Sequence, residues 1–414
     1  MTGQEAIAMT LATTAVDHET RIDFDRLRRD RLARAREQLE KHELGALLCF
    51  DFNNIRYITS SHICEVLRDK MARYCVLPNG GDPVLFDLGN IVEMRKERCP
   101  WLKGRVRPAR GTMVGAVPAG VGVPKVFARE IKDVLEESDV GKGPLGIDLL
   151  DYPLYEALTA LDIEVTDGQQ AMHDARMIKT KEEIELLKLS ATLVSAAYHE
   201  IVQAIRPGVK ESDLVAIANH TLYTLGSDDV ESINVISGPR TNPHPHDFSD
   251  RIIRPGDLVF IDILQAYMGY RTCYYRTFVC AEPTQKQKDL YRQAYEWLYA
   301  SIEAVKPGAT TADIARCWPE ASVWGYETEA EAIPLAFGHG LGLSIWEKPI
   351  ITRLFSLDHP FLIEEGMVFA LETYAGQKGD IDGARIEEEV VVTADGCEVI
   401  TKYPCQELIS CASP

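Results

Sequence analysis

An aspartate, Asp262, directly follows the apolar run 258-LVFI-261 and opens the segment 262-DILQAYMGYRTCYYRTF-278. A carboxylate set into an apolar strand is tolerated only when it is paired, ligated or hydrogen-bonded. The expected partner on the return strand is replaced by Cys273, Tyr274 and Tyr275. A second acid, Glu372, ends the run 364-EEGMVFALE-372. In 338-GHGLGLSIWEKP-349, His339 lies between two glycines, which lets the backbone pass close to a bound group. Glu387, in the alternating strand 383-GARIEEEVVVT-393, is a third acid of the same kind. Paired carboxylates, a histidine and phenols are the groups from which proton transfer and cation binding are built.

Each of these residues also has a structural reading. His339 is either a turn residue or a site residue, and Glu387 with Glu388 is either part of a site or a charge device on an edge strand. Adjacent tyrosines on a strand point to opposite faces, so one of Tyr274 and Tyr275 enters a site while the other packs. Nearby carboxylates disfavour the Cys273 thiolate and therefore its use as a nucleophile.

The elements that must position these groups repeat. Thr180 and Glu183 form a capping-box pattern for a long helix ending before Pro207-Gly208, and 284-TQKQ-287 does the same before Pro307-Gly308. The stretches 204-AIRPGVKESDL-214 and 304-AVKPGATTADI-314 align without gaps, and 254-RPGDLVFID-262 matches 364-EEGMVFALE-372. A repeat of roughly 100 to 110 residues makes Asp262 and Glu372 pseudo-symmetric partners across a shared site. On this reading Glu387 corresponds to the region of Cys273 in the first copy.

Upstream, 24-FDRLRRDRLARAREQLEKHELG-45 carries Leu27, Leu32, Ala35 and Leu39 at helical spacing, and Gly45 ends the pattern. Short β-like runs such as 46-ALLCF-50, 73-RYCVL-77 and 84-VLF-86 then alternate with helical stretches. The expected organisation is α/β in two domains: a tail over 1–22, a first domain over 23–178 and a catalytic domain over 179–414.

With 46% hydrophobic and 26% charged residues the 414-residue chain is globular. A formal charge of -19 argues against nucleic acid as a partner. The basic stretch 95-RKERCPWLKGRVRPAR-110 is either a solvated edge or an anion-recruiting rim. Ten cysteines without a CxxC pair suggest reduced thiols in a cytoplasmic setting. No leader-like start or run of 18 apolar residues points to secretion or a membrane.

The motifs GHGLGL with the following EKP, GMVFALE, ARIEE and, in the first half, 53-NNIRYITS-60 resemble the creatinase, aminopeptidase P and prolidase superfamily, peptidase family M24. The resemblance covers about residues 25 to 405. It implies a creatinase-like N-terminal α/β domain, a C-terminal pita-bread domain with an internal pseudo-twofold repeat, and a homodimer. In the latter, residues before 178, with Arg68 and Tyr57 as candidates, complete the partner's pocket.

The metallopeptidases of this superfamily hold two metals on two aspartates, a histidine and two glutamates. Carried over, these fall on Asp262, His339, Glu372 and Glu387, while the bridging aspartate falls on Cys273. The histidine before the EKP-type glutamate falls on Trp346. Without the bridging carboxylate a dinuclear centre is not expected. The expectation is no cofactor; a single divalent ion, if bound, would use Asp262, His339, Glu372 and Glu387, with Cys273 open to a softer ion.

Metal-free members such as creatinase and ectoine hydrolase use a histidine upstream of the strand, which falls on His244 or His246 of 242-NPHPHD-247. Their return-strand glutamate falls on Tyr275. The resulting expectation is a hydrolase cleaving a non-peptide C–N bond of a small polar or cationic metabolite. His244, His246, Tyr275, His339, Glu372 and Glu387 are its candidate catalytic residues. Asp262, Cys273, Tyr274, Trp346 and Arg385 would contact the substrate, and loops such as 317–333 would shape the pocket. The alternatives are a lyase of the dimethylsulfoniopropionate type, suggested by the NP stretch after SGPRT and the terminal TKYP, an Xaa-Pro dipeptidase, and a binding module without catalysis.

Overall fold

The computed structural model describes residues 22–63, 72–113, 115–138 and 143–411. Most of the expected tail and Arg68 lie outside the described residues. Helix α1 (Phe24–Lys41) starts where the Asp23 side chain accepts the Arg26 amide at 2.9 Å, and it buries Leu27, Arg31, Ala35 and Leu39. Strand β1 (Ala46–Cys49) and helix α2 (Phe52–Thr59) follow, then β2 (Tyr74–Pro78), β3 (Val84–Asp87), helix α3 (Val92–Arg98), β4 (Val106–Pro108), helix α4 (Val123–Glu137), β5 (Leu145–Ile147), helix α5 (Tyr152–Thr159), β6 (Val165–Asp167) and helix α6 (Gln169–Met177). The six strands form one mixed sheet in the order β4-β3-β2-β1-β5-β6.

The basic stretch lies at an edge of this sheet. Lys103, Arg107 and Arg110 meet Asp82, Glu137 and Glu130 at the surface, as a solvated edge would, while Arg95 reaches inward to the buried Asp87. Tyr57, a candidate for completing a partner's pocket, is instead fully buried in the core of its own chain and donates to the Ala175 carbonyl at 2.7 Å.

The capping box at Thr180 and Glu183 forms as the sequence predicts and starts helix α7 (Lys181–Ala204). Helix α8 (Glu211–Thr224) and strands β7 (Asp229–Ser237), β8 (Leu258–Tyr267) and β9 (Tyr270–Cys280) complete the first copy of the repeat. The second copy starts at the Thr284–Gln287 capping box with helix α9 (Gln285–Glu303) and continues through β10 (Ala336–Gly340), β11 (Glu347–Ile351), β12 (Val368–Ala375) and β13 (Ala384–Val392). Short strands β14 (Cys397–Val399) and β15 (Ile409–Cys411) extend the sheets, ordered β11-β10-β12-β13-β14 and β15-β9-β8-β7.

The two sheets meet along β9 and β13, joined by polar bridges. Thr277 Oγ1 donates to the Arg385 carbonyl at 2.7 Å and accepts its amide at 2.9 Å, and Arg276 donates to the Glu387 carbonyl at 2.6 Å. Residues 176–179 are locked to β11 by Glu347, which is fully buried against Lys179 at 2.8 Å and Arg176 at 3.3 Å. The glutamate of the EKP motif is therefore a junction residue.

Candidate functional site

Register decides which residues face one another. Across the β8–β9 hairpin Asp262 stands opposite Tyr275, and across β12–β13 Glu372 stands opposite Glu387. The counterpart of Glu387 in the repeat is therefore Tyr275, not Cys273, which corrects the expectation drawn from spacing alone. Period-two alternation then puts Cys273 and Tyr275 on one strand face, and Glu387 and Glu389 likewise on one face of β13.

Asp262 is 2% exposed, and Asn234 of the neighbouring strand β7 donates to its Oδ2 at 3.0 Å. Burial, together with the Glu372 charge, pushes its carboxyl up to about 7. Cys273 Sγ lies 3.6 Å from both Asp262 Oδ1 and Glu387 Oε2. Burial and the surrounding carboxylates, Asp262 first, push the thiol well above its usual range. Glu387 is fully buried, its Oε1 has no hydrogen-bond partner, and burial with the charges of Glu372 and Asp262 raises its carboxyl strongly. Glu372 is bound by Arg385, with Nη2 at 2.6 Å and Nε at 3.2 Å, and the same guanidinium lies 4.7 Å over the Tyr275 ring.

His339 sits where the pairing of β10 with β11 shifts register, between His339 and Gly340. A Cβ on Gly340 would stand 2.2 Å from the Lys348 carbonyl oxygen, and one on Gly338 would stand 2.7 Å from a Leu371 methyl. The flanking glycines thus make room for β11 and Leu371, not for a bound group as the sequence reading held. The His339 Nδ1 proton goes to the Gly340 carbonyl at 3.0 Å, and Nε2 faces Glu387 Oε1 at 3.9 Å. Burial lowers the pKa of this imidazole.

Apart from Glu387, which is buried behind the wall, these groups line a cavity of about 460 Å³ that also includes Asn234, His246, Tyr275, Phe337 and Trp346. Trp346 forms its rim, 63% exposed. The two histidines of the NPHPHD stretch are thereby told apart. His246 is on the wall, while His244 lies behind it, its ring 4.5 Å edge-on to His246 and 5.2 Å over Phe260. The backbone of His244 adopts a left-handed φ of 94°, rare for a side-chain-bearing residue, and burial drives its imidazole well below the usual pKa.

Tyr274 does not reach the cavity and is corrected as a substrate contact. It points to the opposite face, where its hydroxyl meets Ser195 at 2.8 Å and its ring packs against Tyr198. Glu388 likewise points away and is buried on Arg276 at 2.9 Å, in a strand flanked on both sides, so it is no edge device. Of the loop 317–333 only Ile333 lines the cavity; Trp318 and Trp324 fill the core behind it. Sequence reading missed Asn234, whose pairing with Asp262 needs the β7–β8 register, and Glu389. The latter accepts the Cys273 amide at 2.7 Å and the Thr272 hydroxyl at 2.6 Å, and burial pushes it up to about 8. Alternation along the EEE run was the signal that could have found it.

The donor set does not fit a pair of metals. The resemblance puts the bridging carboxylate at Cys273, a thiol here, and Glu372 is committed to Arg385. It fits one ion: a sulfur of Cys273, a nitrogen of His339 and an oxygen of Glu387, all buried, lie within 4.8 Å of one another. This trio shares His339 and Glu387 with the expected set and adds Cys273; Glu372 is held by Arg385, and Asp262 accepts from Asn234 on Oδ2 and faces the Cys273 thiol with Oδ1.

Comparison with known proteins agrees with this architecture. The Xaa-Pro dipeptidase of Pyrococcus furiosus is 32% identical over 233 residues, 55% of this chain and 64% of that protein. The dimethylsulfoniopropionate lyase DddP of Roseobacter denitrificans is 25% identical over 414 aligned residues, 94% of this chain and 89% of that protein. Among solved structures, the Xaa-Pro dipeptidase of Bacillus anthracis superposes with a TM-score of 0.74 at 25% identity, covering 92% of this chain and 99% of that one. The chain thus has the pita-bread fold with its preceding α/β part, and residues 185–394 match the family model described as metallopeptidase family M24. With half of its length matched and its cavity built at the strand positions that its motifs named, the chain belongs to the metallopeptidase family M24.

Proposed function

We propose that the protein is a hydrolase that cleaves a non-peptide C–N bond of a small cationic metabolite. One observation carries this reading: two buried carboxylates, Asp262 and Glu372, share a cavity walled by Tyr275, Phe337 and Trp346 with a single guanidinium, that of Arg385, and a third, Glu387, is buried behind the wall. A carboxylate that ionises near neutrality, Asp262, beside aromatic faces is the chemistry that holds an ammonium, amidinium or sulfonium group. At Cys273 and Trp346 the chain departs from the metallopeptidase pattern that its resemblance implies, which disfavours peptide substrates.

Within this reading Asp262, at about 7, is poised to take and return a proton near neutrality. His246 stands on the wall as a second proton carrier, with its pKa lowered first by burial. Burial keeps the Tyr275 phenol protonated, so it donates to developing negative charge. Glu387, with a free oxygen, orients water or the cationic group. A divalent ion, when bound, would be held by Cys273, His339 and Glu387 and would act as a Lewis acid. A homodimer in the cytoplasm, with residues 23–178 of one copy over the cavity of the other, belongs to the same proposal. None of the described helices is long and apolar enough to cross a membrane.

A second reading, elimination of an onium group, is favoured by the likeness to the lyase. That likeness runs through nearly the whole chain, whereas the likeness to the Pyrococcus dipeptidase covers 55% of it. The test is a panel of amidines, cyclic amides and ammonium or sulfonium carboxylates, followed by NMR. Hydrolysis incorporates ¹⁸O from labelled water, and elimination gives an alkene. Full retention of activity by Glu387→Gln would sink the site assignment.

A further inference from the structure

We infer that the cavity holds one divalent ion of borderline or soft character, ligated by the Cys273 thiolate, His339 Nε2 and a Glu387 oxygen, as a mononuclear centre in place of a dinuclear one. This goes beyond the proposed reaction and does not depend on it.

Three observations carry the inference. The donors lie within 4.8 Å of one another, and Glu387 Oε1 is buried without a partner. A fully buried carboxylate oxygen with no donor is costly unless something else satisfies it. The imidazole is preset for ligation, because donation from Nδ1 to the Gly340 carbonyl leaves the Nε2 lone pair facing Glu387. A carbonyl partner of this kind is what usually fixes the tautomer of a metal-bound histidine. The strand carrying the sulfur is fixed from behind, with the Cys273 amide and the Thr272 hydroxyl both held by Glu389.

The same geometry argues against a second ion. Glu372 is in a two-point ion pair with Arg385, and a thiol, Cys273, stands at the position that the family resemblance gives to the bridging carboxylate. Sulfur, nitrogen and oxygen together select zinc, cobalt or ferrous iron over magnesium or calcium. Cys273 and His339 both line the cavity, so the position left after three protein ligands faces the substrate space. With Asp262 ionised, a dication would also leave the site negative: Asp262, Glu372, Glu387 and a thiolate outnumber Arg385 and the metal by one charge. An onium group is still welcome there.

The test uses chelator-treated full-length protein titrated with cobalt(II) alone. One equivalent should bind per chain and produce a near-ultraviolet thiolate-to-cobalt charge-transfer band. That band should vanish in Cys273→Ser, with binding weakened by about ten-fold or more, and persist in Cys317→Ser, whose sulfur lies outside the cavity. Binding without the band, two equivalents per chain, or no binding at about 1 mM would overturn the inference. Should Cys273→Ser fail to fold, X-ray absorption on the zinc-loaded wild type decides. One sulfur neighbour at about 2.3 Å is expected, and a shell of nitrogen and oxygen alone refutes it.

Discussion

Replacing Glu389 by Gln should flatten the dependence of stability on pH. Glu389 is fully buried, accepts the Cys273 amide and the Thr272 hydroxyl, leaves Oε2 unpartnered and has its carboxyl raised from 4.5 to about 8. Because the folded pKa lies above the unfolded one, the folded state binds more protons between those values. The contribution of this group is then fully present below pH 4.5 and is lost as pH rises through about 8. At 1.36 kcal/mol per pH unit, less the rounding of the titration near each pKa, the loss between about pH 5 and 8 is roughly 3.5 kcal/mol. Gln keeps the accepting oxygen and does not titrate, so the variant should gain on the wild type by roughly that amount over the same range. Urea unfolding of metal-free protein measures it, read by the fluorescence of Trp318 and Trp324, which are buried in the same half as Glu389. Parallel pH profiles, with the difference widening by less than about 1 kcal/mol, would refute the reasoning.

Two further pairs of measurements test the site's construction. Arg385→Met should destabilise the fold by about 3–5 kcal/mol, since it leaves Glu372 buried beside Glu387 without its counterion. A thermal melt and urea midpoint matching the wild type would count against that pairing. Tyr274→Phe should cost about 1 kcal/mol of stability through loss of the Ser195 contact while leaving turnover intact. Tyr275→Phe should instead lower kcat, because its hydroxyl belongs to the cavity and hydrogen-bonds Asp262 there. Exchanged phenotypes would mean that the strand faces the other way.

Much of the frame was readable along the chain because its causes are local. Both capping boxes formed at Thr180 and Thr284, where a hydroxyl and a side chain three residues on satisfy free helix amides. The repeat named Asp262 and Glu372 as a pair, and both reach one cavity. Alternation also required that only one of Tyr274 and Tyr275 could enter it.

What spacing could not give was the relation between strands far apart in the chain. The equivalence of Glu387 with Tyr275, the hydrogen bond from Asn234 to Asp262 and the choice of His246 over His244 for the wall all depend on register and on how the two sheets meet. Arg385 takes Glu372 out of the ligand set only because β12 and β13 pair as they do, which leaves sulfur, nitrogen and oxygen from Cys273, His339 and Glu387 to converge. The sequence by itself determined which residue types and local elements were present, since propensity, capping and alternation act over a few neighbours. Only the tertiary structure decided which charges face one another, because Coulomb and ligand interactions depend on distances that packing alone sets.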